Sequence, residues 1–118
     1  MVARIRTGKQ INSALLYNEH KVEMNISSLL GGYNCVIDPS QMNRHEKLNL
    51  FKKYTSLNQQ TKVNALHISL NFDKSDCLTN EKLLCIAEDY MNGIGFSEQP
   101  CFIYKHTDAA HPHIHIVS

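Results

Sequence analysis

Two strand-like runs at the end of the chain constrain its fold most: residues 100–106 (PCFIYKH) and 113–117 (HIHIV), separated by residues 107–112 (TDAAHP). Ile114, Ile116 and Val117 are strand formers. Side chains alternate along an extended strand, so His113 and His115 share one face, roughly 6.5–7 Å apart, with Ile114 and Ile116 on the other. The intervening residues read as a hairpin loop, and an antiparallel return brings His106 toward the face that carries His113 and His115. Three converging imidazoles form a metal site by the usual logic of side-chain ligation. Asp108 is placed to accept a ring N–H and fix a tautomer. His111, beside Pro112 and out of register with the pair, is expected in the loop and off the ion. An H-x-H pair alone is a weak signal; His106 and Asp108 at this spacing sharpen it.

The chain's 118 residues suffice for one domain, 1–118, with one modest core. A core strand is a poor place for a domain to end, so the domain is expected to continue beyond Ser118. The N-terminal residues MVARIR carry no leader-like apolar run, and no stretch approaches the ~20 apolar residues of a membrane span. Cys35, Cys77, Cys85 and Cys101 lack C-x-x-C spacing, which argues against a cysteine zinc site. Free thiols in a reducing cytoplasm are expected. The formal net charge of +1 hides an asymmetry. Arg4, Arg6, Lys9 and Lys21 face only Glu19 in the first stretch, and Arg44, Lys47, Lys52, Lys53 and Lys62 face only Glu46 across 41–62. Residues 73–98 carry Asp73, Asp76, Glu81, Glu88, Asp89 and Glu98 against Lys74 and Lys82. A basic side opposite an acidic one can hold a phosphate backbone at near-neutral total charge; an ordinary solvated charge distribution is the other reading.

Along the chain, residues 1–6 alternate as a short strand with Arg4 and Arg6 on one face. Thr7 is a candidate helix cap, followed by a helix over 8–19 with Ile11, Leu15 and Leu16 at helical spacing. Tyr17 lies near its end. Residues 23–32, ending in Gly31-Gly32, read as a loop, and 33–38 as a short strand. Pro39 stands in the first turn of the next helix, whose stripe is Leu48, Phe51, Tyr54 and Leu57. The clearest single strand is 62–72. It sets Leu66, Ile68, Leu70 and Phe72 on one face and His67, Ser69 and Asn71 on the other, so the polar set lines either a ligand surface or solvent. Thr79 begins a helix with Leu83, Ile86, Ala87 and Tyr90 on its apolar side, ended by Asn92-Gly93. The order predicts an α+β fold, an antiparallel sheet with helices on one face.

Three separated segments resemble the motifs of conjugative relaxases, the mobilisation nucleases of the HUH endonuclease superfamily. His106-x-Asp108-x4-His113-x-His115 is similar to their third motif. His67-Ile-Ser69-Leu-x-Phe72 is similar to the second. Tyr17-Asn18-Glu19-x-Lys21-Val22 looks like the first, which carries the nucleophilic tyrosine in the bacterial mobilisation branch. A phenol of pKa ~10 is a poor nucleophile at neutral pH and needs a cation to stabilise it or to polarise its target. The resemblance implies a ferredoxin-like HUH fold with the histidine strands central, and a DNA nickase that forms a 5′-phosphotyrosine at a plasmid or mobile-element transfer origin. It implies Tyr17 as nucleophile, one ion on His106, His113 and His115, and His67, Ser69 and His111 near the site. It also implies DNA contacts from Arg4, Arg6, Lys9 and Lys21. Mg²⁺ or Mn²⁺ is the implied ion, although three imidazoles suit Zn²⁺, Ni²⁺, Cu²⁺ or Mn²⁺ better than Mg²⁺. The implied partners are single-stranded DNA and accessory relaxosome proteins, and the implied location is the bacterial cytoplasm. Two alternatives stay open here. Residues 111–117 also resemble the motif of histidine-triad nucleotide hydrolases, with His113 as nucleophile and no metal. A non-catalytic metal- or DNA-binding module is the other.

Overall fold

The computed structural model describes residues 2–8, 11–35, 38–56, 65–73, 78–95, 100–106 and 113–118. In chain order these form β1 (Val2–Gly8), α1 (Ile11–Glu23), β2 (Ser27–Tyr33), a 3₁₀ turn (Pro39–Gln41), α2 (Arg44–Ser56), β3 (Ala65–Asn71), α3 (Asn80–Gly93), β4 (Cys101–His106) and β5 (His113–Val117). The strands make one sheet in the order β1-β3-β5-β4-β2, every pairing antiparallel. The α+β class and the central place of the histidine strand are as expected. Among the described residues, no helix is long and apolar enough to cross a membrane.

Strand alternation fixes the two faces. Leu66, Ile68, Leu70, Cys101, Ile103, Ile114 and Ile116 pack with Leu83, Ala87 and Met91 of α3. Phe102, Tyr104 and Val117, on the opposite face, pack with Leu15 of α1 and Phe51 of α2. The helices therefore divide between the faces: α3 covers the purely apolar one, and α1 and α2 the other. The helical stripe of α3 runs as the sequence indicates, and the Thr79 hydroxyl accepts from the Lys82 amide at 3.2 Å as its N-cap.

Several local expectations give way to tertiary pairing. Thr7 is not a helix cap but part of β1, paired with Leu66. Residues 27–32, expected as loop, form with Tyr33 the edge strand β2 on β4, with a bulge between Leu29 and Gly31. The double glycine serves close approach here: a Cβ on Gly32 would lie 2.6 Å from the Cys101 carbonyl and 2.8 Å from Pro39 Cγ. Tyr33 ends this strand, and Asp38 caps the 3₁₀ turn through Ser40. Helix α2 begins later, where Asn43 and Glu46 exchange side-chain bonds to each other's amides at 2.8 and 3.2 Å, a reciprocal capping box. In α1, Leu15 is buried while Leu16 faces outward. That helix ends in a Schellman arrangement, with Asn25 at φ 61° and Ile26 N–H bonded to the Lys21 carbonyl.

Gly32→Ala is expected to lower stability by about 1–3 kcal/mol, because the neighbour it strikes is backbone of the adjacent strand β4. Gly93→Ala, at a helical position with nothing within 4 Å, is expected to raise it by about 0.4–1 kcal/mol. Thermal unfolding of the two variants checks the contrast.

Candidate active site

Cross-strand register builds the site in rungs on the α1 side of the sheet. His106 stands directly opposite His113, and His115 stands between Tyr104 and Ser69. The next rung aligns Arg6, His67 and Val117, and Arg4 lies opposite Ser69. The ligand atoms of His106, His113 and His115 all lie within 4.8 Å of one another. The His106 and His115 rings stack at 3.8 Å between centroids, and the His113 ring stands 5.2 and 5.3 Å from theirs. Helix α1 crosses above them. The Tyr17 ring lies 6.4 Å from both His106 and His67, is 49 % exposed, and has Lys21 Nζ 5.1 Å from its centroid.

Each of two histidines has an outer partner that orients it. His106 Nε2 is 2.7 Å from Asn18 Oδ1. His115 Nδ1 is 2.7 Å from His67 Nε2. Burial and the nearby Arg6 guanidinium hold the His67 imidazole below its ordinary pKa, so it stands neutral beside its neighbour. This donor set fits a divalent ion: three imidazoles, two of them oriented by such partners, suit Mn²⁺, Ni²⁺ or Zn²⁺. Ser27 adds to the fit. It lies across from His106, and its buried hydroxyl has no partner among the described residues.

The seat of α1 is polar. Glu19, 8 % exposed, pairs with Lys47 of α2 at 2.7 Å and accepts from the Tyr104 hydroxyl at 2.8 Å. Burial and that carboxylate push the Tyr104 phenol far above its ordinary pKa. At the surface, Arg44 pairs with Glu23 between the same two helices.

The family model "Relaxase: MobA/VirD2-like, nuclease domain" matches residues 17–118. The chain belongs to this family. No curated protein and no solved structure matches it. As a relaxase nuclease domain it is of a DNA-nicking kind, and the match sets aside the histidine-triad alternative, which left His106 and Tyr17 without a task.

The relaxase domain thus brings together Tyr17, His67, Ser69, His106, His113, His115, Arg4, Arg6 and Lys21 on one side. Asp108, His111 and Lys9 lie outside the described residues. The charge asymmetry has a spatial counterpart: Arg4 and Arg6 are exposed on the histidine face, and Glu81, Glu88 and Asp89 are exposed on α3 across the sheet. Sequence reasoning missed Asn18, Glu19 and Lys47. A signal existed, because Leu15, Asn18, Glu19 and Val22 recur at i, i+3, i+4 and i+7, which puts two polar residues on the core stripe of α1.

Lys47→Met, which leaves the Glu19 charge buried and unpaired, is expected to destabilise the domain by about 3–5 kcal/mol. Adding Glu19→Gln, which removes that charge yet keeps an acceptor for Tyr104, is expected to recover most of the loss. Urea unfolding of the single and double variants provides the check.

Proposed function

We propose that this relaxase domain nicks single-stranded DNA at the transfer origin of a plasmid or mobile element, with Tyr17 as nucleophile and one divalent ion held by His106, His113 and His115. The supporting observation is the convergence of an exposed tyrosine from α1 on a three-imidazole cluster built by β4 and β5. Tyr17 Oη attacks the phosphorus, and the P–O3′ bond breaks. The phenol loses its proton and the departing 3′ oxygen gains one, so a 5′-phosphotyrosine and a free 3′-OH form with no net proton change. The step exchanges one phosphodiester for another, so it reverses without nucleotide energy. The bound ion would supply positive charge to the scissile phosphate as its oxygens gain negative charge.

The rest of the face serves the strand. Arg4 and Arg6 on edge strand β1 and Lys21 beside Tyr17 neutralise phosphates, and Lys9, between β1 and α1 in the sequence, is proposed to do the same. His67 orients His115, and Ser69 on the same face is close to the path of the DNA. His111 is proposed to lie near the site in the β4–β5 loop. Asp108, in the same loop, is proposed to accept a ring N–H from one of the ligands. Mg²⁺ or Mn²⁺ is the ion by availability in a bacterial cytoplasm, where accessory relaxosome proteins would deliver the origin.

The test is intact-protein mass spectrometry after incubation with oligonucleotides that tile the element's transfer origin, with Mn²⁺, with EDTA, and with Tyr17→Phe. One fragment's mass added only with Mn²⁺, and lost in Tyr17→Phe, is expected. An adduct that survives Tyr17→Phe assigns the nucleophile elsewhere. An absence of adduct, with Mn²⁺ binding that His113→Ala abolishes, identifies a metal-binding module without turnover.

A further inference from the structure

The residue next to the tyrosine does more than hold the helix in place. Asn18 is completely buried, and its amide touches two groups of known hydrogen-bonding sense. Its Nδ2 donates to the Ala14 carbonyl at 2.9 Å, an oxygen that can only accept. The amide orientation is thereby fixed, and Oδ1 faces His106 Nε2 at 2.7 Å. Because Oδ1 can only accept, Nε2 must carry the proton, and the neutral ring then has its lone pair on Nδ1. His115 is set the other way: its Nδ1 is engaged by His67, which leaves Nε2 as its ligating atom.

We infer that Asn18 is a positioning residue that holds His106 in the Nε2–H tautomer and so turns Nδ1 toward the ion. The inference rests on the proposal that His106, His113 and His115 hold a metal. Its consequence is a coupling: one turn of α1 carries the nucleophile at Tyr17 and the tautomer control of a ligand at Asn18. A shift of that turn therefore alters ion affinity and nucleophile placement together.

Leucine and aspartate at position 18 separate this role from simple packing. Both are near the size of asparagine, and both lose the bond to the Ala14 carbonyl. Only aspartate keeps an acceptor for His106 Nε2. Long-range ¹H–¹⁵N spectra of the imidazoles in metal-free protein are expected to show His106 as the Nε2–H form in the unaltered chain and in Asn18→Asp. In Asn18→Leu they are expected to show a tautomer mixture. Calorimetric Mn²⁺ titration is expected to give about 10–100-fold weaker binding for Asn18→Leu and affinity within a few-fold of the unaltered chain for Asn18→Asp, with thermal unfolding confirming that both variants fold. Equal losses in the two variants, or unchanged Mn²⁺ affinity and tautomer in Asn18→Leu, overturn the role of Asn18 alone. Failure of the unaltered chain to bind Mn²⁺ overturns the metal reading beneath it.

Discussion

A carboxylate removed from water between helix α1 and the sheet is the interaction on which the site depends. Burying an isolated charge is costly, and it is tolerated only when paired and hydrogen-bonded. Glu19 meets both conditions through Lys47 and Tyr104, and so binds α1 to α2 and to β4 at once. A hydrophobic contact there would hold α1 against the sheet but let it slide. Directional bonds to two fixed partners do not. Successive helical residues point about 100° apart, so anchoring Glu19 also sets where Asn18 and Tyr17 point. Asn18 turns into the sheet at His106, and Tyr17 turns outward beside the histidines.

The sheet answers a second demand, that one face change character along its length. Toward one end it is apolar, with Phe102 and Val117 against Leu15 and Phe51. Toward the other it is imidazole and hydroxyl: His106, His113, His115 and Ser69. Period-two alternation makes this legible in β3 and β5, because a run such as HIHIV has only one face to give to the core. The pairing of His106 with His113 was legible too, since a hairpin between residues 106 and 113 puts those two opposite each other. The split of helices between faces was not, because apolar stripes on α1, α2 and α3 say that each packs, not on which side.

Two kinds of feature escaped sequence reasoning for different reasons. β2 reads as a loop because Gly31-Gly32 has low strand propensity, yet pairing with β4 recruits it, and the missing Cβ at Gly32 is what lets Pro39 and Cys101 come close. Asn18 and Glu19 enter the sequence reading only as neighbours of Tyr17 in its motif, with no burial or partner assigned to them. Their partners lie 88 and 85 residues away, so no local window contains both halves of the bond. Periodicity alone could have flagged them, as polar positions on the stripe of Leu15 and Val22. It could not have named His106 and Tyr104.

The same long separations say how the active face comes into being. His113 and His115 are set by the β-ladder, since β5 is the central strand and is paired on both sides. Those two imidazoles are held as firmly as the core itself. His106 differs: its backbone belongs to β4, but its ring is bonded to a helix near the other end of the chain. Tyr17 depends on that helix entirely. A partly folded chain with a formed sheet and an undocked α1 would present two ordered imidazoles, a third without its Asn18 partner, and no tyrosine beside them. Docking of α1, through Glu19, gives His106 its Asn18 partner and brings Tyr17 beside the histidines together. In a domain of a DNA-nicking family, that coupling confines the assembled tyrosine and histidine face to the fully folded state.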